Sequence, residues 1–348
     1  MITVEIHASR AYDVCIGSGL LSRAGELTAS VLPCCRALIL TDDNVAPLYA
    51  DALAGSLQAA GFVPEVYVVP HGEGAKSLDV LGALLEHMAA NHYTRTDALF
   101  ALGGGVVGDL GGFCASIYLR GIAFVQVPTT LLAAVDSSVG GKTAINLGAG
   151  KNLAGAFYQP RLVICDTDTL GTLPPEILAD GCAEIIKYGV IGDAPLFGML
   201  KDGMSPDSEQ VIARCVQDKR DLVERDEFDT GARQLLNLGH TVAHAIEKLS
   251  GFEISHGTAV AMGMVQIMRA ALAHGLCTQD DLDALMHLTK QLGLPTECPY
   301  DTAELAAAAC SDKKRNGDTL TLVVPYGIGN SRLYKLPAAD LQAWLDAR

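Results

Sequence analysis

One repeated pattern narrows the fold more than any other feature: a short apolar run that stops at a cluster of glycine, hydroxyl or acidic residues. It occurs at "RALILTDDN", "PEVYVVPHGEG", "DALFALGGG", "AFVQVPTT" and "RLVICDTD". Strands covered on both faces need continuous apolar runs, and they end where solvent-facing loops begin. Between the runs lie segments with helical spacing, such as "VAPLYADALAGSLQAAG" and "SLDVLGALLEHMAANH". This alternation predicts a doubly wound α/β layer. Two alternating runs, "ITVEIHAS" and "YDVCIGS", precede it as further strands. From about residue 173 the texture becomes helical, in "PPEILADGCAEIIKYGVIG", "SEQVIARCVQDKRDLVERD", "GARQLLNLGHTVAHAIEKLS", "GTAVAMGMVQIMRAALAHG" and "TQDDLDALMHLTKQLG". One late strand, "TLTLVVPYGIG", follows. The expectation is a Rossmann-like α/β dinucleotide-binding domain over 1–172. A mainly α-helical metal- and substrate-binding domain then covers 173–348.

Composition bounds the partners. With 49% hydrophobic and 19% charged residues, the 348-residue chain can fill two cores and is not a disordered sequence. A net charge of −15 argues against nucleic acid and anionic membrane surfaces. An anionic substrate would need local clusters of lysine and arginine. The ten cysteines show no C-x-x-C spacing and read as reduced, buried thiols. The first residues, "MITVEIHASRAYDV", lack a basic start and an apolar core, and no apolar run is long enough to span a bilayer. The expectation is a soluble cytoplasmic protein.

Three segments carry candidate chemistry. In "ALFALGGGVVGDLGGF", Gly103, Gly105 and Gly108 have G-x-G-x-x-G spacing after a strand and before a helix, where bare N–H groups can approach a pyrophosphate. The turn comes late in the chain, and the candidate ribose acid, Asp42, closes an earlier strand, so the sheet is not the common version. The strand ends "TDDN", "HGEGAK", "GGGVVGD", "VPTT" and "DTDTLGT" should share one rim. The second segment, "PTTLLAAVDSSVGGKTAINLGAGKN", sets Asp136, Lys142, Lys151 and Asn152 among glycines and hydroxyls, a composition suited to anions. Position 136 is aspartate, so the Walker spacing fails. The third, "LLNLGHTVAHAIEKLSGFEISHG", holds His240, His244 and His256. His240 and His244 share a helix face like the histidines of H-E-x-x-H, but the glutamate between them is missing. Such a pair can ligate or simply pack. Glu184, in the mostly apolar "DGCAEIIKYG", would need a cation such as Lys187 or a metal if buried.

These blocks, together with "GKNLAGAFYQP", "SHGTAVAMGM" and "SDKKRNGD", resemble the 3-dehydroquinate synthase family of sugar phosphate cyclases from about residue 2 to the C-terminus. The resemblance implies conversion of 3-deoxy-D-arabino-heptulosonate 7-phosphate (DAHP) to 3-dehydroquinate and phosphate. Its steps are transient oxidation by NAD⁺, β-elimination, reduction, ring opening and aldol closure, in the shikimate pathway. It implies that Glu184, His240 and His256 hold Zn²⁺ or Co²⁺, and that His244 contacts substrate. Lys142, Asn152, Asn237, His244 and one of Lys313 and Lys314 are implied near the phosphate. Arg120 is implied to enter from a second subunit of a homodimer. Lys219 and Arg233 would meet the carboxylate and hydroxyls, and Lys187 and Asp136 the hydroxyls near metal and nicotinamide. For NAD the implied set is Asp42, Asn44, Glu73, Lys76, Gly104, Gly105, Val106, Asp109, Thr129, Thr130, Lys142, Lys151, Thr169 and Thr172. His71, Ile177 and Asp229 depart from the family pattern. Cyclases of sedoheptulose 7-phosphate tend to lose the second histidine of G-H-T-x-x-H, which this chain keeps. An aminodehydroquinate-forming variant would share nearly everything. A polyol dehydrogenase would share fold, NAD and metal without so many anion-binding lysines.

Overall fold

Seven strands within the first 166 residues build one sheet. They are β1 (Ile2–His7), β2 (Ala11–Gly17), β3 (Arg36–Asp42), β4 (Val63–Val69), β5 (Ala98–Gly103), β6 (Ala123–Pro128) and, after a hairpin, β9 (Leu162–Asp166). The computed structural model describes residues 1–313 and 319–347, the side chains of 311–313 excepted. The order across the sheet is β1-β2-β9-β6-β5-β3-β4, with every neighbouring pair parallel except β1 and β2. Taken in chain order, β3, β4, β5, β6 and β9 stand as 2-1-3-4-5. The strand order reverses between β3 and β5, and ligands of such sheets bind outside the strand ends at that reversal. This accounts for the late glycine turn. Asp42 ends β3 and the glycines end β5, so the two flank the switch point although they lie far apart in sequence.

Alternate side chains of the inner strands point to opposite faces. Ile39, Phe100, Leu102 and Val125 pack with Ala24 of α1 (Ala24–Ala29) and with Leu53 and Leu57 of α2 (Ala46–Ala59). Leu38, Leu40, Leu99 and Ala101 pack with Leu81, Leu84 and Met88 of α3 (Leu78–Ala90). Val107, Leu110 and Cys114 of α4 (Gly105–Ile117) join the same face. Helix α4 lies close on the sheet because its glycines are bare. A Cβ on Gly108 would stand 2.8 Å from Gln126 Oε1, and one on Gly111 3.0 Å from a Leu99 methyl.

The segment read as an anion-binding loop is a π-helical turn (Ala133–Ser137) followed by an antiparallel hairpin, β7 (Lys142–Leu147) and β8 (Gly150–Phe157). The chain then enters α5 (Pro175–Ile191) and α6 (Ala194–Lys201) of a second unit and returns with α7 (Glu209–Arg225). Unit one is thus Met1–Leu173 with Asp207–Phe228; unit two is Pro174–Pro206 with Asp229–Arg348. The helical texture from about residue 173 groups α7 with the second half. The structure instead packs its apolar stripe, including Val211, Ile212, Cys215 and Val216, against β1, β2 and the 133–137 turn. Ser208 caps it through Val211 N.

Unit two continues with α8 (His240–Leu249), α9 (His256–Ala273), α10 (Gln279–Gln291) and α11 (Thr302–Lys313). The hairpin β10 (Thr319–Pro325)/β11 (Ser331–Pro337) and the short α12 (Leu341–Leu345) complete it. Helix α9 is buried almost all round, as its even apolar composition requires. Among the described residues no helix is long and apolar enough to cross a membrane. None of the ten cysteines forms a disulfide.

Candidate metal centre and dinucleotide rim

Three helices of unit two each bring one residue to a common point: Glu184 from the middle of α5, His240 from the first position of α8 and His256 from the first position of α9. Bare backbone makes this convergence possible. Gly239, with φ +78°, turns the chain into α8, and a Cβ there would meet Met264 N and Val260 O at 2.9 Å. A Cβ on Gly263 would run into the Gly239 carbonyl, and one on Gly257 into the Asp180 carbonyl. Ser255 does not cap α9 with its own side chain. Asp180, one turn before Glu184, does so instead: its Oδ1 accepts the Thr258 N–H at 2.9 Å and the Ser255 hydroxyl at 2.5 Å. One face of α5 therefore docks the start of α9 and presents the carboxylate to it.

Glu184 Oε1 lies 3.2 Å from His256 Nε2 and 3.6 Å from His240 Nε2. Ligand atoms about 2.1 Å from a tetrahedral ion stand about 3.4 Å apart, so these separations fit one. One donor atom from each residue lies within 4.8 Å of the others. A carboxylate with two imidazoles suits Zn²⁺ or Co²⁺. Lys187, 1% exposed, forms an ion pair with Glu184 Oε2. His240 Nδ1 is 3.0 Å from the Leu238 carbonyl, which places the proton on Nδ1 and leaves Nε2 to bind. Burial drives the His240 pKa down to about 3. Burial also opposes charge on His256, but Glu184 and Glu247 outweigh it and raise that ring to about 10.

His240 groups with His256 and Glu184. The His244 ring lies 5.6 Å from His240 and 6.4 Å from His256, beside the trio. Arg233, 1% exposed, and Asn237 sit on the 3₁₀ turn that leads into α8. Lys314 and the side chain of Lys313 lie outside the described residues.

In unit one the expected dinucleotide residues collect at the strand ends. Asp42 Oδ1 accepts the N–H groups of Asn44 and Val45 at 2.9 Å each. Gly104, Gly105 and Val106 form the start of α4, where exposed N–H groups and the helix dipole favour an anion. Gly104 has φ −75°, so it is small for closeness, not for a left-handed turn; its Cβ would stand 3.0 Å from Thr130. Lys76, 4% exposed, donates to Asp109 Oδ2 and Asn152 Oδ1 at 2.6 Å each. Burial raises the Asp109 pKa, and Lys76 pulls it back down. Glu73 accepts from Asn146 at 2.8 Å. Thr129 and Thr130 follow β6, and Tyr49 ties Thr169 and Thr172 to the same end of the sheet. Lys142 and Lys151 stand on the β7–β8 hairpin.

Two expected substrate contacts are placed differently from their sequence neighbours. Lys219 lies on α7 and therefore in unit one, paired with the Asp136 carboxylate and donating to the Asp136 carbonyl at 2.7 Å. Arg120 is exposed, with φ +68°, beyond the far end of α4. A helix of that length rises about 20 Å, so Arg120 does not reach the glycine turn of its own chain. Of the departures, His71 uses both its backbone N–H and Nδ1 to hold Asp43 Oδ1 at 2.8 Å. Ile177 is an exposed first-turn residue of α5, and Asp229 has φ +59°. Sequence reasoning missed Glu247, Asp180 and the helix-contact glycines. For Glu247 a signal existed: His240, His244 and Glu247 are spaced i, i+4, i+7, one stripe of one helix.

Two family models, described as 3-dehydroquinate synthase N-terminal and C-terminal, match residues 66–180 and 181–315. The chain belongs to the 3-dehydroquinate synthase family. It is 43% identical to a 3-dehydroquinate synthase of Lactiplantibacillus plantarum, over 99% of this chain and 98% of the relative. It is 46% identical to one of Caulobacter vibrioides, over 97% and 95%. Among solved structures it is similar to the 2-epi-5-epi-valiolone synthase ValA of Streptomyces hygroscopicus subsp. jinggangensis, solved with NAD⁺ and Zn²⁺ (TM-score 0.88, 28% identity, 98% of each chain). It is also similar to 2-deoxy-scyllo-inosose synthase solved with carbaglucose-6-phosphate, NAD⁺ and Co²⁺ (TM-score 0.87, 26% identity, 99% of each chain). The family relationship therefore extends over both units.

Proposed function

We propose that the chain converts DAHP to 3-dehydroquinate and phosphate in the shikimate pathway, using NAD⁺ and one Zn²⁺ or Co²⁺. The observation that carries this reading is the Glu184, His240 and His256 trio in a chain that aligns over its whole length with 3-dehydroquinate synthases. When bound, NAD⁺ takes up and returns one hydride and the divalent ion acidifies substrate hydroxyls.

The chain's own residues bind and orient. Asp42 accepts from ribose hydroxyls, and the N–H groups at Gly104, Gly105 and Val106 hold the pyrophosphate. Lys142, Asn152, Asn237 and His244 fix the substrate phosphate, while Lys219 and Arg233 fix its carboxylate. Lys187 and Asp136 orient hydroxyls. The departing phosphate can accept the proton released in β-elimination, so no separate strong base is needed. Arg120, exposed beyond the far end of α4, serves the second subunit of a homodimer, a role that rests on the family resemblance. We place the enzyme in the cytoplasm.

The test is incubation with DAHP, catalytic NAD⁺ and Zn²⁺. Phosphate and 3-dehydroquinate should appear one for one, with no accumulation of NADH. Steady NADH release matching product would replace this reading with a polyol dehydrogenase. Turnover of sedoheptulose 7-phosphate in preference to DAHP would assign the chain to another cyclase class.

A further inference from the structure

We propose that Glu247 is the positioning carboxylate of His256, holding the imidazole through Nδ1 so that Nε2 faces Glu184 and His240. The inference rests on the metal-binding role proposed above. Glu247 is 2% exposed and stands on α8, seven residues after His240 and on the same face. Its Oε1 is 3.5 Å from His256 Nδ1, while His256 Nε2 is 3.2 Å from Glu184. Each ring nitrogen of His256 therefore meets its own carboxylate. A ligating imidazole backed in this way is fixed in one tautomer and one orientation and becomes a stronger donor.

The two histidines are supported differently. His240 is backed by the neutral Leu238 carbonyl, and His256 by a charged group. Helix α8 so contributes one ligand and orients another that belongs to α9. A carboxylate buried this deeply is costly unless it is paired, so packing alone gives little reason for a glutamate here.

The experiment measures Zn²⁺ affinity by chelator competition for the full-length wild type and for Glu247→Gln. It adds the visible spectrum of the Co²⁺-loaded proteins and thermal melting of the metal-free ones. Expected for Glu247→Gln are a metal-free protein that still folds and melts cooperatively, a shifted Co²⁺ spectrum and a Zn²⁺ Kd weaker by roughly 10- to 100-fold. Glu247→Asp keeps the charge and should recover part of the loss. If Glu247→Gln does not fold, Glu247→Asp is read alone, and weaker Zn²⁺ binding than wild type supports the assignment. Wild-type Zn²⁺ affinity in the variant, with one ion bound per chain in both, overturns the role of Glu247 and leaves the metal site standing. A wild type that binds no Zn²⁺ overturns both.

Discussion

His256→Ala should lose the metal and nearly all turnover, whereas His244→Ala should keep the metal and lose only rate. The trio supplies three donor atoms. Among the described residues, no other group of three or more His, Cys, Asp or Glu side chains gathers donor atoms within the same spacing. Two remaining ligands on α5 and α8 cannot close a tetrahedral site. Metal stabilisation of developing negative charge is worth several kcal/mol. A loss of about 4 kcal/mol is roughly a thousandfold in rate, the expected minimum for His256→Ala. His244 stands beside the trio, its ring 6.4 Å from His256. As a side chain proposed to contact the substrate phosphate, its loss should cost about 2–5 kcal/mol, or roughly 30- to 5,000-fold in rate. Metal analysis of the purified proteins separates the two cases. The reverse pattern, with His244→Ala stripped and His256→Ala loaded, would rule out the assigned trio.

The second large effect needs no change to any chemical group. Gly257→Ala should destabilise unit two and weaken metal binding together, because the new methyl would overlap the Asp180 backbone carbonyl. Neither partner can yield by rotating a side chain. Helix α9 must move away from α5, carrying His256 from Glu184. Overpacking of this kind costs about 1–3 kcal/mol, and a displacement of a few tenths of an ångström already spoils ligand geometry. The control is Gly198→Ala in α6, where nothing lies within 4 Å of an added Cβ. That substitution should leave metal binding alone and stabilise slightly, since alanine favours helix. Melting curves and Zn²⁺ titrations of both variants decide it. Equal behaviour of the two would mean that the α5–α9 contact does not set the site.

The inner strands were readable because burial on both faces leaves an unbroken apolar run, as in β5, where all six residues are buried. Strand β11 was not, since its middle residues are exposed and include Arg332 and Lys335. The β7–β8 hairpin was hidden by small and charged residues that give no clear alternation. Helix α7 was visible as a helix, but an apolar stripe says that a helix packs, not on which partner. The metal trio met the same limit. Spacing puts His240 and His244 on one face, yet the ligands come from three helices, and only the family resemblance selected His256 and Glu184. Glu247 shares that face, but its partner starts a different helix, so spacing along α8 alone does not reveal the pair.

The excursion of the chain through 174–206 before α7 is made has a consequence for the order of events at the ribosome. The last strand of the seven-stranded sheet is complete at Asp166, yet the helix that packs on β1 and β2 comes only with residues 209–225. A nascent chain therefore holds a sheet with all seven strands but without the helix that covers β1 and β2, while the opening helices of the second unit are already emerging. The two units are interleaved in time as well as in sequence, joined at 173/174, 206/207 and 228/229. No single cut in the polypeptide releases either one whole.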